Sequence, residues 1–194
     1  MKYNVSEIIE VIEQRRTIKP ERFSSRIVHK EIIEKLLNAA KWAPNHGMTQ
    51  PWRFTVFTGS GIEKLSTFQS NTYKDLNQKD FKEKKFEKLK ERPLKATAII
   101  AIGLKRQKEE KIPEIEEIAA VSCAVQNMQL LATAYGIGTY WGSGGVTYTD
   151  ELKAFLELES RDLCLGFLYL GYPLKDWPKG QRKPIEYFTK WIED

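Results

Sequence analysis

Apolar side chains recur every three or four residues in much of the chain, a spacing that predicts amphipathic helices. The predicted helices cover about residues 6–16, 30–41 and 114–135, two segments within 61–92, and a short segment that Thr149 can cap. Ser6 is the candidate N-cap of the first helix, whose apolar face consists of Val5, Ile8, Ile9 and Ile12. The longest helix carries small side chains suited to close packing against another helix.

Three other stretches have the composition of β-strands. Residues 52–58 are β-branched and aromatic and lie between Pro51 and Gly59. Residues 96–103 and 163–171 are continuous apolar runs, as in strands buried on both faces. The chain shows no internal repeat or linker, so the pattern predicts one domain of mixed helix and strand.

Composition narrows the class of protein. The 194 residues are 41% apolar and carry a net charge of +5, which suits a folded domain with a sizeable core. No apolar run is long enough for a membrane span, and the first residues lack a secretory signal pattern. Cys123 and Cys164 lie in apolar surroundings, so we expect buried, reduced thiols in a cytoplasmic protein.

The positive charge is concentrated in residues 79–111, which hold 12 Lys and Arg against six acids. One interpretation is a lid that attracts anions. The other, which we favour, is a solvated helix with pairs four residues apart, for which Glu83, Lys84, Glu87 and Lys88 are candidates.

Several common chemistries lack their residues. His29 and His46 are the two histidines, and no cysteine pair has zinc-ligand spacing. No phosphate-binding P-loop and no G-x-S-x-G nucleophile motif occur, and the glycines after residue 135 follow a helix rather than a strand, unlike a Rossmann fingerprint. We therefore predict neither a catalytic acid–base residue nor a metal site.

Four groups of residues remain as candidates for binding. Arg15-Arg16-Thr17 could hold a phosphate, although cations at a helix C-terminus are also favourable without a ligand. Residues 43–52 form a polar turn-rich loop, and residues 136–145 combine glycines with Trp141, which suits a flat ring. Residues 181–184 add two cations. Each group also has an ordinary structural explanation.

Taken in this order, the groups resemble the flavin-dependent nitroreductase family. The shared motifs are R-R-[ST] after the first helix, A-P-x-x-x-x-x-Q-P-W-x-F from Ala43, G-x-G-x-x-W from Gly136, and G-F-L-Y-L-G-x-P from Gly166. The resemblance spans almost the whole chain and is greatest to the small bacterial members. Met48 stands where many members have asparagine.

The resemblance implies a single α+β nitroreductase-like domain over residues 1–194, with a central, mainly antiparallel sheet flanked by helices. It also implies a homodimer with one tightly bound FMN at each end of the subunit interface. The tail, 173–194, is expected to pack on the partner subunit.

The resemblance further implies which residues contact FMN. These are Arg15, Arg16 and Thr17 at the phosphate and ribitol, Asn45, His46 and Gln50 in the loop, Trp141, Gly142 and Ser143 beside the ring, and Arg182 and Lys183 in the tail. His46 either positions flavin or substrate or caps its own loop. No protein residue is expected to be catalytic, because FMN would carry the redox chemistry.

The expected activity is ping-pong hydride transfer from NAD(P)H, through flavin N5, to a flat nitroaromatic or quinone. Two alternatives stay open. One is a specialised flavin enzyme, either a dehalogenase or a flavin-fragmenting enzyme. The other is a nucleic-acid-binding protein that uses the basic segment, although we expect partners to exclude nucleic acid and membranes.

Overall fold

Four strands form one antiparallel sheet in a computed structural model that describes residues 3–109 and 111–193. The strands are β1 (Trp52–Thr58), β2 (Ala98–Leu104), β3 (Gly138–Gly142) and β4 (Leu163–Gly171), in the order β1-β2-β4-β3. The helices are α1 (Val5–Gln14), α2 (Lys30–Ala40), α3 (Ser60–Leu76), α4 (Glu83–Glu91), α5 (Glu114–Ala134) and α6 (Asp150–Phe155). Short 3-10 helices span Pro20–Arg22, His46–Met48, Pro93–Lys95 and Ile185–Tyr187.

Strand β2 is buried along its whole length, because helices cover both faces of the sheet. On one face Ile100 and Ile102 belong to the same apolar cluster as Val125 and Met128 of α5. On the other face Ile99 joins the cluster formed with α3 and α6. The continuous apolar runs predicted for β2 and β4 are thus confirmed.

The first helix differs from its prediction in two ways. Its N-cap is Asn4, whose side chain accepts a hydrogen bond from the Glu7 amide, and the prediction of Ser6 is wrong. Its apolar face is not buried within the chain, since Val5, Ile8, Ile9 and Ile12 are 63, 49, 48 and 52% exposed. Helix α5, the end of α2 and Trp42 border this face and leave much of it open.

Helix α5 confirms the predicted long helix and also has an open side. It packs on α2 and the sheet through Val121, Val125 and Met128, whereas Ile115 and Cys123 are exposed. The prediction that both cysteines are buried is therefore wrong for Cys123 and right for Cys164. Cys123 is therefore accessible on the surface formed by the described residues.

Strand β3 lies within the glycine-containing segment 136–145, where the sequence pattern predicts no strand. It is an edge strand that pairs with β4, with Tyr140 opposite Tyr169. Glycine is required at Gly166 of β4, where φ is 113° and a Cβ would collide with the Gly142 carbonyl oxygen. Two strands thus approach unusually closely at the end of β3.

Helix α4 lacks the ion pairs that the sequence suggested. Among the described residues none of its lysines pairs with a carboxylate on the same helix. Instead Lys85 Nζ lies 4.6 Å from the centre of the Tyr73 ring, and Lys90 Nζ lies 6.0 Å from that of Phe86.

The predicted N-cap of the short helix α6 is confirmed, because the Thr149 hydroxyl accepts a hydrogen bond from the Leu152 amide.

Within residues 3–109 and 111–193, no helix is both long and apolar enough to cross a membrane. The same residues contain no grouping of three or more His, Cys, Asp or Glu side chains that could hold a metal ion.

Candidate functional site

Two adjacent arginines and one from the C-terminal tail lie together at the C-terminal end of α1. Arg15 is the C-cap of that helix, and the charges of Arg182 and Arg16 act on it. Partial burial, and then these two charges, lower the pKa of Arg15. Over the described residues none of the three forms a salt bridge with a carboxylate. The cluster is therefore an uncompensated positive site.

The three guanidinium groups differ in how many hydrogen bonds they form within the chain. Arg16 donates from Nε to the Pro178 carbonyl at 3.1 Å, and from Nη1 to the carbonyls of Glu13 and Arg15. The chain passes so close that a Cβ on Gly180 would overlap this guanidinium. The Arg182 guanidinium donates once, to the carbonyl of its neighbour Gln181, and the Arg15 guanidinium forms no hydrogen bond with the described residues. Arg16 thus contacts the tail at Pro178 and Gly180, and the N–H groups of the Arg15 guanidinium are available to a ligand.

Thr17 links the cluster to the start of β3. It forms an isolated parallel bridge with Thr139, and the next amide, Ile18, donates to the Thr139 carbonyl at 2.9 Å. The Thr139 hydroxyl in turn accepts from buried Gln129 of α5 at 3.2 Å. The arginines therefore lie beside the last third of α5.

The glycine-rich turn lies at the other end of β3. Trp141 is held by a hydrogen bond from Nε1 to the Leu165 carbonyl at 2.9 Å, and its ring borders a shallow hollow together with Ser143. On the opposite side of the strand, Gly142 lies against the Tyr140 ring, where a Cβ would come within 2.7 Å of a ring carbon. Gly144, in contrast, has no atom within 4 Å of the position that its Cβ would take, so a flat group could approach the backbone of the turn there.

The loop at residues 45–50 has an unusual backbone. Gly47, Met48 and Gln50 all have positive φ, at 58°, 52° and 45°. The Gln50 amide donates to the Asn45 side chain at 3.0 Å, which closes the loop on itself. His46 Nδ1 lies 2.7 Å from a carboxylate oxygen of Glu116, in the first turn of α5.

The structure thus gathers the predicted residues into two separate groups. Arg15, Arg16, Thr17 and Arg182 lie together, with Trp141, Gly142 and Ser143 further along the adjoining strand. Asn45, His46 and Gln50 belong to the loop in which His46 contacts Glu116. Glu116 precedes Gln129, which contacts Thr139 beside the arginines, by thirteen residues on α5. At 1.5 Å per residue, the loop is thus about 20 Å from the arginine cluster along the helix. Lys183 is directed elsewhere, with its amine 5.1 Å from the centre of the Tyr187 ring.

The family model for nitroreductases matches residues 12–172. The chain belongs to the nitroreductase family. It is 30% identical to "Putative NAD(P)H nitroreductase YfhC" of Bacillus subtilis, over 93% of this chain and 92% of that protein. The predicted family, and with it the oxidoreductase class, is confirmed.

Solved structures agree with this assignment. A nitroreductase-like family protein from Bacillus cereus superimposes with a TM-score of 0.81 at 31% identity, covering 100% of this chain and 99% of that one. A nitroreductase from Desulfovibrio desulfuricans, solved in complex with FMN, has the same fold, with a TM-score of 0.72, 23% identity and full coverage of both chains. The predicted α+β nitroreductase fold is confirmed.

Sequence reasoning did not locate a further cavity beside the glycine-rich turn. A cavity of about 300 Å³ lies between α4 and the glycine-rich turn, and Arg92, Lys88 and the buried side chain of Gln69 line it. The charge count for residues 79–111 was the available signal. It could not show which cations face the turn, because that depends on how α4 packs against α3.

Proposed function

We propose that this chain binds FMN and uses NAD(P)H to reduce a flat electrophile of the nitroaromatic or quinone type. The observation that carries the proposal is the cluster of Arg15, Arg16 and Arg182, which has no described acidic partner. Through Thr17 the cluster adjoins the start of β3, and the glycine-rich turn follows the other end of that strand. Such a cluster costs free energy until an anion neutralises it. A phosphate at one end and a flat ring at the other match the two ends of FMN.

The side chains present fit FMN in distinct ways. Arg15 and Arg182 would hold the phosphate, because guanidinium groups bind phosphate oxygens with charge-assisted, often bidentate hydrogen bonds. Thr17 would contact the ribitol, and the turn at residues 141–143 would lie beside the ring. When bound, FMN would supply the hydride chemistry at N5, so the protein need only bind, orient and exclude water.

We further propose that the working molecule is a homodimer. The open faces of α1 and α5 meet along one side, where Ile8, Ile12 and Trp42 border an apolar groove. Contiguous exposed apolar surface of this kind is typical of a subunit interface. A second copy would cover it.

Dimerisation would also bring the two halves of the site together. In a twofold pairing of antiparallel α5 helices, the N-terminal end of one helix lies beside the C-terminal end of the other. The partner's His46 loop would then approach the arginine cluster of the first copy, which its own loop, about 20 Å away along α5, does not reach. The exposed tail that includes Tyr187 and Trp191 would pack on the partner.

The visible spectrum of the purified protein tests the proposal most directly. We expect flavin bands near ~450 nm that persist through gel filtration and bleach when NADPH or NADH is added anaerobically. A colourless protein that does not take up added FMN would overturn the proposal. If the flavin bleaches, reoxidation by a quinone or a nitroaromatic compound would support the proposed activity. Reoxidation by a halogenated aromatic compound alone would indicate dehalogenation.

A further inference from the structure

A second positively charged site lies under α4. The cavity of about 300 Å³ between this helix and the glycine-rich turn is lined by Lys85, Lys88 and Arg92, and by no aspartate or glutamate of residues 3–109 and 111–193. It is separate from the arginine cluster at Thr17, because Thr139 and Gly142 are three residues apart on β3, about 10 Å at the usual rise of a strand. An FMN phosphate held by the arginine cluster would leave this second charge unused.

The three cations that line the cavity differ in the ion pairs and ring contacts that they form. Arg92 forms a salt bridge with Glu21, with Nη2 2.7 Å from the carboxylate, and lies over the Tyr140 ring at 5.5 Å. Lys85 lies over the Tyr73 ring. Lys88 has no ion pair, side-chain hydrogen bond or ring contact among residues 3–109 and 111–193. Lys88 is therefore the cation available to a ligand.

Two buried polar side chains, Gln69 and Tyr169, line the cavity, and Gln69 is only 2% exposed. Burial is the largest influence on Tyr169 and raises its pKa, so the hydroxyl stays protonated at neutral pH. A buried amide and a neutral hydroxyl beside the unpaired Lys88 are suited to a hydrogen-bonding ligand rather than an apolar one.

The cavity also borders the position expected for the flavin ring. Gly142, Gly144 and Gly145 line it from below, and Gly142 belongs to the turn that the proposed function assigns to the ring. A substrate stacked on that ring could therefore extend a substituent toward Lys88. The cofactor phosphate, held by the arginine cluster, would not compete for this position.

We propose that this cavity binds the anionic group, a carboxylate or a phosphate, of the electron acceptor, and that Lys88 selects for it. The inference rests on the proposed function, which it narrows from flat electrophiles to flat electrophiles that carry a negative charge.

The test compares two acceptors of the same shape, 4-nitrobenzoate and 4-nitrobenzamide, with FMN saturating. The measured quantity is the ratio of their kcat/KM values. Lys88→Gln should lower this ratio about tenfold, the effect of losing one charge-assisted hydrogen bond, and Lys88→Arg should largely retain it. Lys84→Gln is the matched control, since Lys84 is on the same helix but does not line the cavity, and it should leave the ratio within twofold.

Three results would overturn the proposal. The ratio could be the same in Lys88→Gln and wild type. The variant could instead change only the preference for NADPH over NADH in anaerobic flavin reduction, or only the affinity for FMN, and the cations would then serve the donor or the cofactor. Calorimetric titration with 4-nitrobenzoate, which needs no turnover, should show weaker binding to Lys88→Gln even if the proposed redox function fails.

Discussion

Arg15 offers the sharpest test of the arginine cluster. Its pKa is lowered by burial and by the charges of Arg182 and Arg16, so its positive charge is unfavourable in the ligand-free fold. Replacing it by glutamine removes that repulsion, and we expect a free energy of unfolding equal to or higher than that of wild type. The same change removes a donor to the phosphate, worth about 1.5–3 kcal/mol, and should weaken FMN binding about 10- to 150-fold.

The assay is titration of the flavin-free protein with FMN and with riboflavin, which lacks the phosphate, followed by flavin fluorescence. Arg15→Gln should reduce the preference for FMN over riboflavin and leave riboflavin affinity nearly unchanged. Lys74→Gln is a matched control for the loss of one charge, because Lys74 is exposed on α3. Chemical denaturation of the flavin-free proteins gives the stability comparison.

Two outcomes would refute the reasoning. If Arg15→Gln weakens FMN and riboflavin equally, Arg15 does not bind the phosphate. If FMN affinity stays within twofold of wild type while the flavin-free protein becomes less stable, the arginine serves only the C-terminus of α1, where a cation favours the helix dipole. The combination of weaker ligand binding with undiminished stability distinguishes a ligand-binding residue from a structural one.

His46→Asn should leave the rates of flavin reduction and reoxidation within tenfold of wild type at saturating FMN, and a loss of a hundredfold or more in stopped-flow experiments would make His46 a general acid–base residue. Ala119→Arg, on the open face of α5, should give monomers in sedimentation velocity, whereas Thr67→Arg on exposed α3 surface should remain dimeric. Buried Cys164 has its pKa raised to about 11 from 9.0, so unfolding releases its proton and stability should fall between these pH values, by up to about 1.4 kcal/mol per unit. Denaturation of Cys164→Ala should lack this component of the pH dependence, and equal slopes in both proteins would contradict it.

Elements whose surroundings come from this chain could be predicted from the sequence. The strands β2 and β4 are continuous apolar runs because helices cover both faces of the sheet, and local composition records that burial. The face of α1 has the same periodicity as a buried face, yet it is exposed. Periodicity shows that a face needs covering, but it does not show whether the same chain covers it.

Strand β3 was missed for a different reason. Its sequence, Gly138–Gly142, has glycines at both ends, and isolated glycines predict turns. The strand exists because β4 pairs with it and because Gly166 and Gly142 allow the two backbones to approach closely. Such pairing joins residues far apart in the sequence, which no local pattern reports.

The residues of the candidate site also differ in whether the local sequence could predict their positions. The arginine pair at the end of α1 could be found locally, because a helix end, two cations and a hydroxyl are adjacent in the sequence. The convergence of Arg182 on Arg15 could be expected only from the family resemblance, since 166 residues separate them. The separate position of His46, beside Glu116, was not predicted at all.

The open surface and the divided site have one physical explanation. A small domain that leaves the apolar side of α1 and much of α5 exposed would be poorly soluble alone, and a flavin bound only to Arg15, Thr17 and the glycine-rich turn would stay open to water. One twofold contact would resolve both problems, because it buries the apolar faces and brings a second loop to the cofactor. Flavin binding and dimerisation should therefore be thermodynamically coupled, so that Ala119→Arg lowers FMN affinity although Ala119 is not among the cofactor contacts. Equal FMN affinity in a stable monomer would show that each chain completes its own site.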